Sequence, residues 1–242
     1  MRVAVISDIH GNHQALTAVL EAVDAESPDA LWCLGDLVGY GARPNDCTRT
    51  AAARAAVCLV GNHDLGVLGR LDLGDFSGDA GTAARWTQTV LEDEPRAFLE
   101  RLAPDAEQPG AELFHASARD PVWEYVLSED AAAASLQATS APLVLVGHSH
   151  VPLALRQEGR SVEGGVARGG TEIELGDGRW LLNPGSVGQP RDGDPRAAWL
   201  LLDLDRGTAS FRRLEYDVAA TQAEIRDAGL PEPLAARLAA GI

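Results

Sequence analysis

The feature that most constrains this chain is a series of short apolar runs, each of which ends in Asp, Asn or His. Residues 3–6 are all apolar, and residues 7–12 then read Ser-Asp-Ile-His-Gly-Asn. A run of this kind predicts a buried strand. In open α/β sheets, ligands bind at the carboxyl ends of the strands. Because alternate residues of a strand share a face, we expect Asp8 and His10 to project together toward one cation.

Three later apolar runs end in the same chemistry. They are residues 30–34 before Gly35-Asp36, 57–60 before Gly61-Asn62-His63-Asp64, and 143–146 before Gly147-His148-Ser149-His150. A further predicted strand, over residues 111–116, contains Phe114-His115. Apolar residues at helical spacing over 15–23, with Asn12 as the predicted N-cap, separate the first two runs. The pattern predicts βαβαβ winding and a parallel sheet in the first part of the chain.

The remaining segments carry less chemistry. Residues 65–102 are predicted to be mostly helical, as is the tail over 218–240. From Val151 onward, alternating apolar and polar residues with intervening turns predict antiparallel hairpins that form a second sheet. No repeat or low-complexity linker divides the sequence, so we expect a single domain over residues 1–242.

Composition excludes several classes of protein. The 20 basic and 36 acidic residues give a net charge of −16, which argues against binding to nucleic-acid polymers or to anionic lipid. It does not exclude a phosphate substrate, because a bound metal inverts the local field. Three cysteines without a C-x-x-C pair, no leader and no apolar span of about 18 residues predict a cytoplasmic protein outside the membrane. The oligomeric state is left open.

The residues at the strand ends are metal ligands by type. Five of the six histidines lie in these clusters, together with Asp8, Asp36, Asn62 and Asp64. Carboxylate oxygens mixed with imidazoles suit divalent manganese, iron, zinc, cobalt or nickel. Their number exceeds what one ion needs, so we predict two ions with Asp36 shared between them. Asp8 and His10 would serve one ion, and Asn62 the other.

These blocks resemble the calcineurin-like metallophosphoesterase superfamily, whose pattern is D-x-H, G-D, G-N-H-D/E, a lone H and G-H-x-H. The chain contains all five in that order: Asp8-Ile9-His10, Gly35-Asp36, Gly61-Asn62-His63-Asp64, His115 and Gly147-His148-Ser149-His150. The resemblance implies a four-layer α/β/β/α sandwich of two mixed sheets flanked by helices.

The resemblance also implies roles for individual residues. It assigns a first metal to Asp8, His10, Asp36 and His150, and a second to Asp36, Asn62, His115 and His148. It implies that His63 contacts the phosphate and protonates the leaving oxygen, while Asp64 orients the ring of His63. Manganese is the expected ion, with iron, zinc, nickel or cobalt as alternatives.

Two departures bear on the substrate. The phosphoprotein phosphatases of the superfamily carry Asp-Arg shortly after G-D, whereas Gly35-Asp36 is followed here by residues 37–41, Leu-Val-Gly-Tyr-Gly. Residues 183–191 look like the same segment of the small bacterial and archaeal phosphodiesterases, and glycine there would let the backbone approach the site. Arg191 is a candidate phosphate ligand or an ion-pair partner of Asp192 or Asp194, and Tyr40 lines the substrate pocket or packs its loop.

We therefore expect a binuclear enzyme that hydrolyses a small phosphodiester by attack of metal-bound hydroxide. A phosphomonoesterase or protein phosphatase and a dinucleoside polyphosphate hydrolase are alternatives. From another class, the superfamily contains a retromer subunit that acts as a scaffold and lacks the general acid. The block that carries this acid, Asn62-His63-Asp64, is intact here.

Overall fold

The computed structural model describes all residues from 1 to 242. Twelve strands are present, in chain order: β1 (Arg2–Ile6), β2 (Ala30–Cys33), β3 (Val57–Cys58), β4 (Asp105–Gln108), β5 (Ala111–Phe114), β6 (Leu143–Leu145), β7 (Leu153–Glu158), β8 (Ser161–Val166), β9 (Glu172–Glu174), β10 (Arg179–Asn183), β11 (Ala197–Asp203) and β12 (Thr208–Leu214).

Eight α-helices connect or cover these strands: α1 (His13–Glu26), α2 (Pro44–Arg54), α3 (Asn62–Val67), α4 (Gly78–Val90), α5 (Asp93–Leu99), α6 (Glu129–Gln137), α7 (Val218–Asp227) and α8 (Glu232–Ala236). Short 3₁₀ helices occupy Leu73–Asp75 and Arg237–Ala239. Asn12 caps α1 as predicted, because its side chain accepts a hydrogen bond from the backbone N–H of Ala15. None of the helices combines the length and the apolar character that a membrane span requires.

The strands form two six-stranded mixed sheets, ordered β3-β2-β1-β11-β12-β9 and β4-β5-β6-β10-β7-β8. Strands β1, β2 and β3 run parallel, as the βαβαβ pattern predicts. Strand β3 ends two residues earlier than expected, because the N–H of Val60 donates to the carbonyl of Ala103 instead of to the neighbouring strand.

The sequence predicted that the C-terminal strands form a second sheet of their own, and this prediction is wrong. Strands β7, β8 and β10 join β5 and β6, while β9, β11 and β12 extend the first sheet beside β1. Alternation along a strand reports which face is buried, but it does not specify the neighbouring strand, because pairing is decided by contacts far apart in sequence. The segment between β10 and β11 therefore crosses from one sheet to the other.

Apolar contacts fill three interfaces, which separate the four layers of the predicted sandwich. Trp32 and Phe211 are fully buried between the two sheets. Leu16 of α1 packs against the outer face of the first sheet, and Leu136 of α6 packs against the outer face of the second. Because the core between the sheets draws on strands from both ends of the chain, we propose that residues 1–242 form a single domain.

Candidate metal centre

The predicted site residues converge at one edge of the sandwich. Asp8 and His10 follow β1, Asp36 follows β2, His115 follows β5, His148 and His150 follow β6, and Asn62, His63 and Asp64 form the first turn of α3. Each of these nine side chains is at most 5% exposed. The convergence of strand ends that the apolar runs predict is present in the structure.

The backbone at these positions is unusual. Six of the seven non-glycine residues with positive φ lie at the site: Asp8, His10, Asp36, Tyr40, His148 and His150. The left-handed conformation costs about 1–2 kcal/mol for each such residue. Hydrogen bonds between loops hold it here, for example from the N–H of His10 to the carbonyl of Asp36, at 2.9 Å.

This backbone, and not strand alternation, pairs Asp8 with His10, so the physical basis predicted for that pairing is wrong. Strand β1 ends at Ile6, and alternation therefore does not reach the two side chains. Their left-handed φ angles of 55° and 50° turn both side chains toward the site. The Nε2 atom of His10 lies 3.9 Å from Oδ1 of Asp8.

Three imidazoles are oriented by backbone carbonyls. The Nδ1 atoms of His10, His115 and His150 lie 3.0, 2.8 and 2.6 Å from the carbonyl oxygens of Val38, Leu34 and Gln189. A carbonyl only accepts, so Nδ1 donates its proton there and Nε2 keeps a lone pair that points into the site. Metal-binding histidines are commonly held by such a contact.

Two clusters of ligand atoms result. We define the first cluster as Asp8, His10 and His150, and the second as Asp36, His115 and His148; within each, the ligand atoms lie within 4.8 Å of one another. In the first cluster, Nε2 of His150 is 3.3 Å from Oδ1 of Asp8 and 3.0 Å from Nε2 of His10. Two lone pairs that face each other at this distance repel unless a cation or proton lies between them.

Asp36 belongs to both sides of the site. Its Oδ1 accepts the backbone N–H of His63 at 2.9 Å, whereas its Oδ2 has no hydrogen-bond partner. Oδ2 lies 3.6 Å from Nε2 of His10 and 3.5 Å from Nε2 of His115. Asn62 completes the second side, because its Oδ1 is 3.2 Å from the same nitrogen of His115.

The electrostatics of these residues fit bound cations. Burial lowers the pKa of all five imidazoles at the site, to about 3 for His148, so the rings are neutral and able to ligate. Burial, and then repulsion from Asp64 and Asp8, raises the pKa of Asp36 well above its usual range. The unpartnered oxygens of Asp8 and Asp36 are buried as well. A site so rich in uncompensated donor atoms is a candidate metal centre.

His63 is placed differently from the other imidazoles. Its Nδ1 is buried and has no hydrogen-bond partner. The ring packs against those of Tyr40, His10 and Phe76, with centroids 4.4, 4.9 and 5.2 Å away. One of its nitrogens also lies within 4.8 Å of ligand atoms of His10 and Asp36. The structure thus brings His63 to the ligands without anchoring its ring by a hydrogen bond.

The role expected for Asp64 needs correction. Its carboxylate does not hydrogen-bond to His63. Oδ1 accepts the backbone N–H groups of Leu37 and Val38 at 2.9 and 3.0 Å, and Oδ2 accepts that of Gly61 at 3.0 Å. Burial raises the pKa of Asp64 to about 7, although these three donors oppose the shift. Asp64 therefore braces the loop that carries Asp36 against the turn that carries Asn62.

We expect Asp64→Asn to lower the free energy of unfolding by about 1–3 kcal/mol, because one buried N–H group then faces an amide NH₂ instead of an acceptor. Urea denaturation of the metal-free protein measures this loss. Asp75→Asn, at an exposed position, is the matched control and should change little. If the Asp64→Asn variant is as stable as the wild type, the hydrogen bonds to the Asp64 carboxylate do not contribute to the free energy of unfolding.

Arg191 does not form an ion pair with Asp192 or Asp194, the two partners considered from the sequence. Asp192 pairs with Arg213, and Asp194 pairs with Arg196. The Arg191 guanidinium donates from Nη2 to the hydroxyl of Tyr40 at 3.2 Å, and its Nε is buried without a partner. Arg191 lies close to the first cluster, since its backbone N–H donates to the carbonyl of His150 at 3.2 Å. After burial, its charge is a further cause of the lowered pKa values of His150, His10 and His63.

The segment between β10 and β11 reaches the site as expected from its glycines. The hydroxyl of Ser186 and the N–H of Gly188 both donate to the carbonyl of Asp8, at 2.8 and 3.0 Å. A Cβ atom at Gly188 would lie 1.9 Å from the carbonyl oxygen of Ile9. Only glycine permits this approach, which fixes the left-handed backbone of Asp8.

Sequence reasoning missed a group of aromatic residues beside the second cluster. The ring of Tyr125 stacks on that of His148 with centroids 4.1 Å apart, and the carbonyl of Trp123 lies 3.2 Å from Nε2 of His148. Phe76 contacts both Trp123 and His63. These residues are in loops without periodicity, so no sequence pattern distinguished them.

Comparisons with known proteins agree with this geometry. The family described as "Calcineurin-like phosphoesterase superfamily domain" matches residues 1–207. The uncharacterized protein MJ0912 of Methanocaldococcus jannaschii is 36% identical over 244 residues, which cover 99% of this chain and 98% of that protein. A metallophosphoesterase from Sphaerobacter thermophilus, whose crystal structure is known, is 40% identical, with a TM-score of 0.90 over 100% of this chain and 99% of that one.

A shorter match involves an enzyme with a named substrate class. A symmetrical bis(5'-nucleosyl)-tetraphosphatase from Delftia acidovorans is 44% identical over 66 residues, which cover 26% of this chain and 24% of the relative.

Proposed function

Because the chain belongs to the calcineurin-like phosphoesterase superfamily, we propose that it is a binuclear metal-dependent phosphodiesterase that acts on a small substrate. The observation that carries this proposal is the unpartnered Oδ2 of Asp36, which lies 3.6 and 3.5 Å from the Nε2 atoms of His10 and His115. A carboxylate oxygen shared by two sets of ligands suits a pair of neighbouring cations.

The proposed ligand sets follow the two clusters. Asp8, His10, Asp36 and His150 would hold the first ion, and Asp36, Asn62, His115 and His148 the second. Mixed oxygen and imidazole ligands favour manganese, with iron, zinc, nickel or cobalt as alternatives. When bound, two such cations lower the pKa of coordinated water and stabilise charge that develops at phosphorus.

The remaining roles belong to residues of the chain. His63 is proposed to donate a proton to the oxygen that leaves the phosphorus, since its ring reaches the ligands and its Nδ1 is not engaged. Arg191 is proposed to bind a phosphate oxygen, because its guanidinium has no carboxylate partner and an unused Nε. Tyr40 positions that guanidinium by accepting its hydrogen bond and by lying under it, 5.6 Å from ring centroid to Cζ.

Charge favours a diester over a monoester. A diester carries one negative charge, whereas a monoester carries nearly two at neutral pH. The protein has a net charge of −16, and Arg191 is the arginine that contacts the residues around the first cluster. The chain's own charges, apart from the proposed cations, therefore disfavour a dianion relative to a monoanion. The free thiols of Cys33, Cys47 and Cys58 support the proposed cytoplasmic location.

We expect the protein, freed of metal by a chelator and reloaded with Mn²⁺, Ni²⁺, Co²⁺ or Zn²⁺, to hydrolyse bis(p-nitrophenyl) phosphate faster than p-nitrophenyl phosphate. The matched pair differs in charge and in one aryl group, and the metal content of each preparation is measured beside the rate. A monoester hydrolysed far faster than the diester would contradict the proposed specificity. No hydrolysis with any of these metals would favour a scaffold.

A second candidate function is the hydrolysis of dinucleoside polyphosphates, which the 44% identity to the Delftia acidovorans enzyme favours over those 66 residues. Diadenosine tetraphosphate is the direct test. If it is cleaved with a higher kcat/KM than bis(p-nitrophenyl) phosphate, the second candidate replaces the first.

A further inference from the structure

The two flanks of the metal centre differ in chemistry. Arg191 and Tyr40 lie beside the first cluster and present a cation and a hydroxyl. Beside the second cluster, the Tyr125 ring stacks on His148, and the backbone carbonyl of Trp123 contacts the same imidazole. A substrate whose phosphate is bound between the flanks would therefore meet a charged surface on one side and an aromatic surface on the other.

Tyr125 is more exposed to solvent than a residue that only packs against the core. Its ring is nearly parallel to the imidazole of His148, at 16° and with centroids 4.1 Å apart, so one face is covered. The residue is nevertheless 48% exposed. His148 itself is 3% exposed. The open part of the Tyr125 ring is thus the aromatic surface that a ligand meets directly beside the second cluster.

The loop that carries Tyr125 is held in place. Both Val122 and Trp123 donate backbone N–H groups to Oδ1 of Asp120, at 3.1 Å each, and Val126 is buried in the core. The Trp123 ring packs on Phe76 with centroids 5.2 Å apart. A ring held this way loses little conformational freedom when a ligand stacks on it.

Aromatic residues are scarce in this chain, which makes their concentration here informative. The sequence has four Phe, five Trp and three Tyr. Four of these twelve, namely Tyr40, Phe76, Trp123 and Tyr125, contact a histidine of the site or each other beside it. Neither the ligand sets nor the proton donor requires the rings of Trp123 and Tyr125.

We propose that Tyr125 is a stacking platform for a planar aromatic group of the substrate. The inference rests on the proposed phosphoesterase function and narrows its substrate class to esters that carry an aryl ring or a nucleobase. Planar groups gain from parallel stacking on an aromatic face, whereas aliphatic groups gain only the burial of area.

The test is a set of binding measurements by calorimetry with the Mn²⁺-loaded protein. AMP carries a nucleobase, phenyl phosphate carries an aryl ring, and ribose 5-phosphate carries neither. The titrations are made in the His63→Ala background so that the ligand is not consumed. Tyr125→Ala should weaken binding of the ring-bearing ligands about 5- to 150-fold, which corresponds to about 1–3 kcal/mol per stacked ring. Binding of ribose 5-phosphate should change less than about twofold.

Three further variants keep the test specific. Tyr125→Phe keeps the flat ring and should bind as the parent does. Tyr125→Leu keeps apolar bulk over His148 but has no flat face, so it should behave like Tyr125→Ala. Leu127→Ala removes an exposed apolar side chain, 57% exposed, from the same loop and should have no effect. Metal content is measured for each variant, since Tyr125 contacts a proposed ligand.

The outcomes separate this inference from the function on which it rests. A loss for AMP alone assigns a nucleobase, and an equal loss for phenyl phosphate assigns any planar ring. Equal weakening of all three ligands, or of none, overturns the platform. If the wild-type protein still hydrolyses diesters in that case, the phosphodiesterase proposal stands; if it hydrolyses no ester with any metal, that proposal fails independently of the binding result.

Discussion

Replacing His63 by alanine is expected to lower the turnover of a phosphodiester about 10²- to 10⁴-fold, the usual effect of losing a positioned general acid. The metal content should stay unchanged, because the proposed ligand sets do not include His63. Its Nδ1 has no hydrogen-bond partner, so no neighbouring hydrogen bond at that atom is lost with the ring.

The size of the expected loss in turnover depends on the leaving group of the ester. An alkoxide needs a proton to leave, whereas p-nitrophenolate leaves readily without one, so the loss should be larger for an alkyl ester than for a p-nitrophenyl ester. His63→Gln is the second variant, because it fills part of the space between Tyr40 and Phe76. If either variant loses an equivalent of metal, His63 is a ligand rather than an acid, as its distance to His10 and Asp36 also permits.

Asp36→Asn is expected to abolish the binding of both ions and to lower activity by at least about 10³-fold, since metal ions supply several kcal/mol of charge stabilisation. The substitution removes the charge whose Oδ2 faces both His10 and His115. Asparagine tolerates the left-handed φ of 54° and retains an oxygen to accept the N–H of His63, so the loop should persist.

Stability measurements distinguish this loss from misfolding. The buried charge of Asp36 is opposed by desolvation and by Asp64 and Asp8, so the metal-free variant should be at least as stable as the metal-free wild type. The gain in Tm that Mn²⁺ produces in the wild type should be absent. Retention of two fully bound ions in Asp36→Asn would refute the shared ligand.

Much of the site was predictable because its residues lie at strand ends. An apolar run predicts a buried strand from local composition, and parallel winding brings the carboxyl ends of such strands to one edge. This argument places Asp8 with Asp36 and His115 with His148, whereas the packing of the two sheets brings the two pairs into one site. The family resemblance added the division of the ligands and the four-layer sandwich, and the structure bears out the sandwich.

The backbone geometry of the site was not predictable from local sequence. Strand alternation predicted that Asp8 and His10 share a side, and they meet instead through left-handed turns. Those turns depend on hydrogen bonds to Gly35 and Asp36 and on the approach of Gly188, about 180 residues later in the chain. The resemblance paired Asp64 with His63, its neighbour in sequence, but the Asp64 carboxylate points to the backbone of Leu37, Val38 and Gly61.

The sequence by itself determined which residues carry the chemistry and the order in which strands deliver them, because hydrophobic burial and ligand type are properties of short segments. Tertiary structure alone decided the neighbours of the C-terminal strands, the freedom of Arg191 from Asp192 and the stacking of Tyr125 on His148. Each of these depends on contacts between distant segments, whose free energy no local pattern encodes.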